Sequence, residues 1–171
     1  DFEDLGWFTI DNLPPALIPK VAELAAGPDA TYDRVALAVG TTADLAQVLP
    51  SVASLRAADT RVRVLFLDAG TEVLVRRYEG SRRRHPTAGD EISLGQAIAL
   101  ERAMLEPVKA EADVVVDTSD LNVHQLRDRI KGLETDEETK ARRESLGKPS
   151  LRGRTDLLLH FAVSAALAAT S

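Results

Sequence analysis

The stretch from Val62 to Ala69 constrains the fold more than any other part of the chain. It reads Val-Arg-Val-Leu-Phe-Leu-Asp-Ala and is rich in apolar and β-branched residues on both alternating faces. Such a run is typical of a strand that is buried on both sides of a parallel sheet. Asp68 stands where this strand would leave the sheet, at the carboxyl edge where open α/β sheets bind ligands. The sequence therefore predicts a ligand site at the end of this strand.

Strand-like and helix-like segments alternate before and after this stretch. Apart from the Asp68 strand, the predicted strands are 7–10, 34–39 and 113–117, and the predicted helices are 16–26, 43–58, 72–78, 94–112 and 121–133. This alternation favours a parallel sheet with right-handed crossovers. We therefore predict an α/β fold, a three-layer parallel sheet, for a domain that covers residues 1–134.

The remainder of the chain differs in composition. Residues 135–154 are dense in charge and lack an apolar stripe, which predicts a linker or a solvated helix. From Thr155 to Ser171 the chain is rich in Ala and Leu. We predict an apolar helix there, with Thr155 as its N-cap, packed on the domain or on a partner subunit in a homo-oligomer.

Composition excludes several kinds of binding site and partner. The chain has 171 residues, a net charge of −6 and no cysteine. An acidic chain argues against a general nucleic-acid surface, and the absence of thiols excludes disulfides and thiolate metal sites. Its longest apolar stretch is short for a membrane span, and its first residues do not resemble a signal peptide. We expect a cytoplasmic protein without a membrane partner.

Basic residues cluster shortly after Asp68. Arg76 and Arg77 come first, and residues 82–86 then read Arg-Arg-Arg-His-Pro. Guanidinium groups bind phosphates through paired hydrogen bonds, so an acid followed by this cluster suits a nucleotide-phosphate site with magnesium. The alternative is a solvated basic loop. Arg76 and Arg77 are neighbours on a predicted helix, so at most one of them faces the site.

Several short motifs in fixed order resemble the RapZ/YvcJ family of bacterial P-loop nucleotide-binding proteins, known as RNase adapters. They are Glu3–Phe8, Asp11–Pro15, Phe66–Ala69, Leu74–Tyr78, Arg82–Pro86, Glu101–Pro107 and Ala112–Ser119. The resemblance implies a P-loop NTPase-like domain that binds ATP or GTP with Mg²⁺. It also implies slow nucleotide hydrolysis in the intact protein, and an RNA or protein partner that is contacted through a further domain.

The resemblance assigns roles to the strand-end acids. Asp68 would take the position of the acid that organises magnesium, where the alternative is a helix N-cap. Asp11 would position the metal or the attacking group, where the alternative is a turn-forming residue before Pro14. The catalytic set predicted is Asp68, Asp11 and Arg83.

The resemblance also suggests nucleotide-binding residues. Arg82 and Arg83, with Arg84 and His85, would form a lid over the phosphates, and Arg77 would also bind the nucleotide. Asp117, Thr118 and Ser119 follow the last predicted strand, where such proteins contact the base. An equal alternative, compatible with nucleotide binding, is a simple helix cap by Ser119 or Thr118.

Two departures from the family pattern shape the expectations. The glycine-rich Walker A loop, which precedes the Glu3–Phe8 motif in the family, has no match in the chain. The chain by itself is therefore expected to bind nucleotide weakly or not at all, because that loop would supply most phosphate contacts. The tail from Thr135 has no match either, and a second interpretation is that residues 157–171 replace the strand and helix around the missing loop. A small-molecule kinase and a non-catalytic oligomerisation module remain alternative functions.

Overall fold

The computed structural model describes residues 2–27, 31–32, 34–39, 45–58, 60–80, 92–133 and 156–162. The strands in this part are β1 (Phe8–Ile10), β2 (Arg34–Val39), β3 (Arg61–Asp68), β4 (Val114–Asp117) and β5 (Asp156–Ala162). The helices are α1 (Ile18–Ala25), α2 (Val48–Ala57), α3 (Thr71–Gly80), α4 (Leu94–Ala110) and α5, which covers 123–133. Short 3-10 turns occur at Glu3–Leu5, Pro15–Leu17 and Leu45–Gln47.

The described strands form one sheet in the order β1-β2-β5-β3-β4, and each neighbouring pair is parallel. The predicted α/β fold with a parallel sheet is thus confirmed. Consecutive residues of β3, from Val64 to Leu67, are all at most 4% exposed. Because neighbouring residues of a strand point to opposite faces, both faces of β3 are covered, as its apolar run predicts.

The prediction of a helix over 155–171 is wrong for Asp156–Ala162, which form β5 in the middle of the sheet. Its register places Leu159 between Leu37 of β2 and Val64 of β3. Leu158 and Leu159, which point to opposite faces, are both buried. A short run that is apolar on every side fits a buried strand as well as a buried helix, so periodicity alone could not separate the two. Residues 135–155 and 163–171 of the predicted linker and helix lie outside the described residues.

Prolines and caps place the helix ends. In place of the predicted helix over 43–58, the structure has a 3-10 turn followed by α2. Pro50 lies in the first turn of α2, where its missing N–H breaks no helical hydrogen bond. Ser93 caps α4 and exchanges hydrogen bonds with Gln96 in a capping box. Pro107 lies inside α4, three residues before the helix ends at Ala110. α4 therefore starts at a strong cap and carries a proline in its last turns.

Across the described ranges, we find no helix that is both long enough and apolar enough to span a bilayer.

The central position of β5 predicts a large effect of truncating its core residue. Leu159→Ala should lower the free energy of unfolding by about 2–5 kcal/mol, because Leu159 is fully buried and its loss leaves a cavity. Urea denaturation measures this change. Leu24→Ala on α1 is the control, since Leu24 is 64% exposed and its truncation should have little effect. Equal stability of the two variants would contradict the placement of β5.

Candidate functional site

The carboxyl ends of β3 and β4 form one charged rim. The parallel register pairs Asp68 with Asp117, the last residues of the two strands. The chain then turns, and Thr118 donates from its backbone N–H (2.8 Å) and from its hydroxyl (2.9 Å) to the Asp68 carbonyl. The residues after each strand are thereby fixed against each other. The predicted site residues Asp68, Asp117 and Thr118 come together at this rim.

The Asp68 carboxylate is held by two cations from α4. Its Oδ2 accepts from Lys109 Nζ at 2.7 Å and from Arg102 Nη2 at 3.0 Å, and its Oδ1 accepts from the Ala69 amide at 2.8 Å. Arg102 also donates to the Thr71 hydroxyl at the start of α3, at 3.0 Å. The Asp68 side chain is only 10% exposed, so this cluster joins β3, α3 and α4 in a partly buried setting.

The cations decide the protonation state of Asp68. Burial raises the pKa of the carboxyl, but the hydrogen bonds from Lys109, Arg102 and the Ala69 amide outweigh burial and bring the pKa below its usual value. Asp68 is therefore an anion at neutral pH, and its charge is compensated by the side chains of α4.

Ser119 connects the two loops of the rim. Its hydroxyl donates to Asp117 Oδ1 at 2.6 Å and accepts from the Gly70 amide at 2.9 Å. The Ser119 amide also donates to Asp117 Oδ1, at 2.8 Å. The side-chain and backbone hydrogen bonds from Ser119 bring the pKa of Asp117 below its usual value. These contacts close the turn after β4 and do not cap α5, which begins at residue 123 and is capped by Asn122, whose Oδ1 accepts from the Gln125 amide at 2.9 Å. The helix-cap interpretation is therefore wrong, and the role of Asp117 and Ser119 in nucleotide binding stays a prediction.

Arg77 is directed at the same rim from α3. Its Nη1 donates to the Thr118 hydroxyl at 3.0 Å, and its Nη2 donates to the Thr118 carbonyl at 2.6 Å. Its neighbour Arg76 is exposed. Of this pair, Arg77 is thus the one that reaches the rim, where it holds the loop after β4.

Other predicted residues lie elsewhere. Asp11 follows β1, at the edge of the described sheet, and three strand spacings separate it from β3, roughly 14 Å. The structure therefore does not bring Asp11 into the Asp68 cluster. Asn12 adopts a positive φ of 52°, which suits a turn residue. Arg82 and Arg83, together with Arg84 and His85, lie outside the described residues.

The described residues do not fit a magnesium ion held by Asp68. Such an ion requires about six oxygen ligands in octahedral geometry. An ion at Oδ2 would displace Arg102 and Lys109, and an ion at Oδ1 would lie beside these two positive charges. Magnesium usually takes one or two carboxylates and completes its shell with water and phosphate oxygens, so the misfit rests on these two cations beside Asp68. That ATP or GTP enters with Mg²⁺ stays a prediction.

Sequence reasoning missed Arg102 and Lys109. Both lie on the helix predicted over 94–112, 34 and 41 residues after Asp68. A spacing of seven residues puts two side chains on the same helix face. The spacing of Arg102 and Lys109 therefore indicated, though weakly, that both cations contact the same neighbouring element. Their partner could not be deduced from the sequence, because it depends on how α4 packs against β3.

The fold and the rim define a class of protein: a parallel α/β protein whose charged side chains gather at the carboxyl ends of neighbouring strands, where such sheets bind ligands. Comparison with known families narrows this class. The RapZ-like N-terminal domain matches residues 1–137, and the chain belongs to this family.

Curated relatives support the same conclusion. Proteins named "Nucleotide-binding protein" match from Mycobacterium sp. (strain KMS), with 48% identity over 85% of this chain and 49% of the relative, and from Thermobifida fusca (strain YX), with 46% identity over 77% and 45%. A third, from Rhodococcus opacus (strain B4), is 44% identical over 81% of this chain and 47% of its own length. The chain spans about half the length of the curated relatives it matches.

The lowered pKa of Asp68 predicts a pH-dependent contribution to stability. Asp68→Asn should lower the free energy of unfolding by about 1–3 kcal/mol at neutral pH, since it removes the ionic partner of two cations. The pKa of Asp68 is lower in the native protein than in the unfolded chain. The contribution of its charge to the free energy of unfolding is therefore complete above the unfolded pKa, near 3.8, and is lost as the pH falls through the native pKa.

Urea denaturation between neutral pH and about pH 2 measures this dependence. The difference between wild type and Asp68→Asn should shrink on acidification. The exposed Asp128 on α5 gives the control variant Asp128→Asn, which should track wild type. A difference that is constant with pH would contradict the assigned ion cluster.

The hydrogen bonds of Arg77 predict a local effect on the loop after β4. Arg77→Met should accelerate hydrogen exchange of the Thr118 amide by about tenfold, because the loop loses two hydrogen bonds that hold it closed. Exchange monitored by NMR measures this rate. Arg76→Met, which changes the exposed neighbour, should leave it unchanged, and equal rates in the two variants would show that Arg77 does not hold the loop.

Proposed function

We propose that this chain binds ATP or GTP at the carboxyl edge of β3 and β4, as part of a nucleotide-binding regulatory protein of RapZ type. The observation that carries the proposal is the cluster of Asp68, Arg102 and Lys109 at the strand ends. Charged groups at this edge of a parallel sheet are placed where phosphorylated ligands bind in α/β proteins. The names of the curated relatives support a nucleotide as the ligand.

The fold is proposed to be of the P-loop NTPase type. Support comes from the order of the strands, since Asp68 ends the strand beside the central β5. The position of β5 also supports the part of the second interpretation that concerns residues 157–162, namely that they take the place of the family's first strand. In this proposal the tail segment completes the sheet from its centre.

Further properties are proposed for the whole protein, of which this chain is one part. They are slow hydrolysis of the bound nucleotide, a magnesium ion that enters with it, a cytoplasmic location, and a regulatory partner that is RNA or protein. Their support is membership of the family. The rim would contribute positioning and charge compensation for the phosphates.

Isothermal titration calorimetry on the 171-residue chain tests nucleotide binding. ATP or GTP should bind saturably with a Kd between about 10 µM and 1 mM, weaker than in proteins whose phosphate-binding loop is present. Adenosine and guanosine are the control ligands, and each should bind at least about tenfold more weakly than its triphosphate, since the rim contacts phosphate. Heat changes without saturation for both triphosphates would overturn the proposal.

A further inference from the structure

We propose that Arg102 and Lys109 are the phosphate-binding side chains of this rim, and that Asp68 is the residue that positions them. Asp68 then acts as the internal counter-ion of the cations and not as a metal ligand. The inference rests on the proposed function for the identity of the ligand, a nucleoside triphosphate. The cation site itself rests on the geometry of α4 and β3.

The two cations are more accessible than the carboxylate between them. The side chains of Arg102 and Lys109 are 33% and 30% exposed, whereas that of Asp68 is 10% exposed. A ligand that approaches from solvent therefore meets the cations first. A metal ion would meet positive charge, and a phosphate would meet opposite charge.

Both cations retain hydrogen-bonding capacity. An ammonium group has three N–H donors, and within the described residues the Lys109 Nζ uses one, on Asp68. A guanidinium has five, and Arg102 uses one on Asp68 and one on Thr71. The remaining donors suit the oxygens of a phosphate group, for which charge-assisted hydrogen bonds are strong.

The charge at the rim favours an anion. Among the described side chains whose contacts reach it, three are cations, Arg77, Arg102 and Lys109, and two are carboxylates, Asp68 and Asp117. Arg77 is bound to the uncharged Thr118, so its charge is not cancelled within that contact. Within this set of contacting side chains, the cations outnumber the carboxylates by one.

An alternative explanation is that the cations only tie α4 to β3, as a surface-facing ion cluster. If the cations have only this structural role, Asp68→Asn leaves the affinity for anions unchanged. If Arg102 and Lys109 bind phosphate, removal of the carboxylate charge leaves them free of their competitor and raises the affinity for anions. If Asp68 is a metal ligand, the same change weakens binding of the nucleotide with magnesium.

Calorimetric titrations of the full 171-residue chain separate these outcomes. The probes are inorganic pyrophosphate with EDTA, ATP with EDTA, and ATP with excess Mg²⁺. We expect Arg102→Met and Lys109→Met each to weaken binding of pyrophosphate and of Mg²⁺-free ATP by about tenfold or more. Asp68→Asn should strengthen both by about threefold or more.

Arg56→Met is the matched control. Arg56 pairs with Asp113 at 2.7 Å, before the amino end of β4, and its side chain is 36% exposed. The substitution thus removes a similar Arg–Asp ion pair away from the rim and should change the affinity by less than about twofold. Circular dichroism checks the fold of each variant. If Asp68→Asn does not fold, the affinities of Arg102→Met and Lys109→Met, compared with that of Arg56→Met, decide whether the two cations bind phosphate.

The outcomes distinguish this inference from the proposed function. ATP affinity that is equal in the α4 variants and in Arg56→Met overturns the inference and leaves nucleotide binding standing. Binding that requires Mg²⁺ and is abolished in a folded Asp68→Asn variant also overturns it. Pyrophosphate binding that depends on Arg102 and Lys109, without saturable ATP or GTP binding, supports the inference and overturns the proposed function. If neither pyrophosphate nor a triphosphate binds to the wild-type chain, both fail.

Discussion

The parallel pairing of β5 with β2 on one side and β3 on the other is the constraint on which the rest of the fold depends. Within the described residues, these ladders join the pair β1–β2 to the pair β3–β4. A central strand has its backbone N–H and C=O groups satisfied on both edges only when both neighbours are in register. Its side chains must also be apolar on both faces, as Leu158 and Leu159 are. The sheet is therefore one unit because a segment distant in sequence closes it.

The sheet determines the geometry of the rim. The register of β3 with β4 sets Asp68 beside Asp117, and the packing of α4 brings two cations onto one carboxylate oxygen. Cross-links between the loops then fix the backbone around them, through Thr118 and Ser119. A site that is held by so many mutual contacts is preorganised, so the anion binding proposed above would need little reorganisation of the loops.

Local patterns in the sequence predicted much of this architecture. The β3 run and the acid at its end were identified correctly because a strand buried on both faces leaves a continuous apolar signature. The central strand β5 was predicted as a helix because its Leu-rich segment offers no polar alternation that would indicate period two. Arg102 and Lys109 escaped prediction for a different reason. Their role depends on tertiary packing, and exposed cations on a helix are common without any function.

The structure of α4 also limits how this part of the chain can vary. Arg102 and Lys109 are two turns apart, with Pro107 between them, and they meet at a single oxygen atom. Each residue advances an α-helix by about 100°, so one inserted or deleted residue between these cations would rotate Lys109 well away from β3. The proline cannot donate to the Ala103 carbonyl, which permits a local bend there. Length changes in related proteins should consequently be excluded from this stretch and accumulate instead in the loops that flank α4.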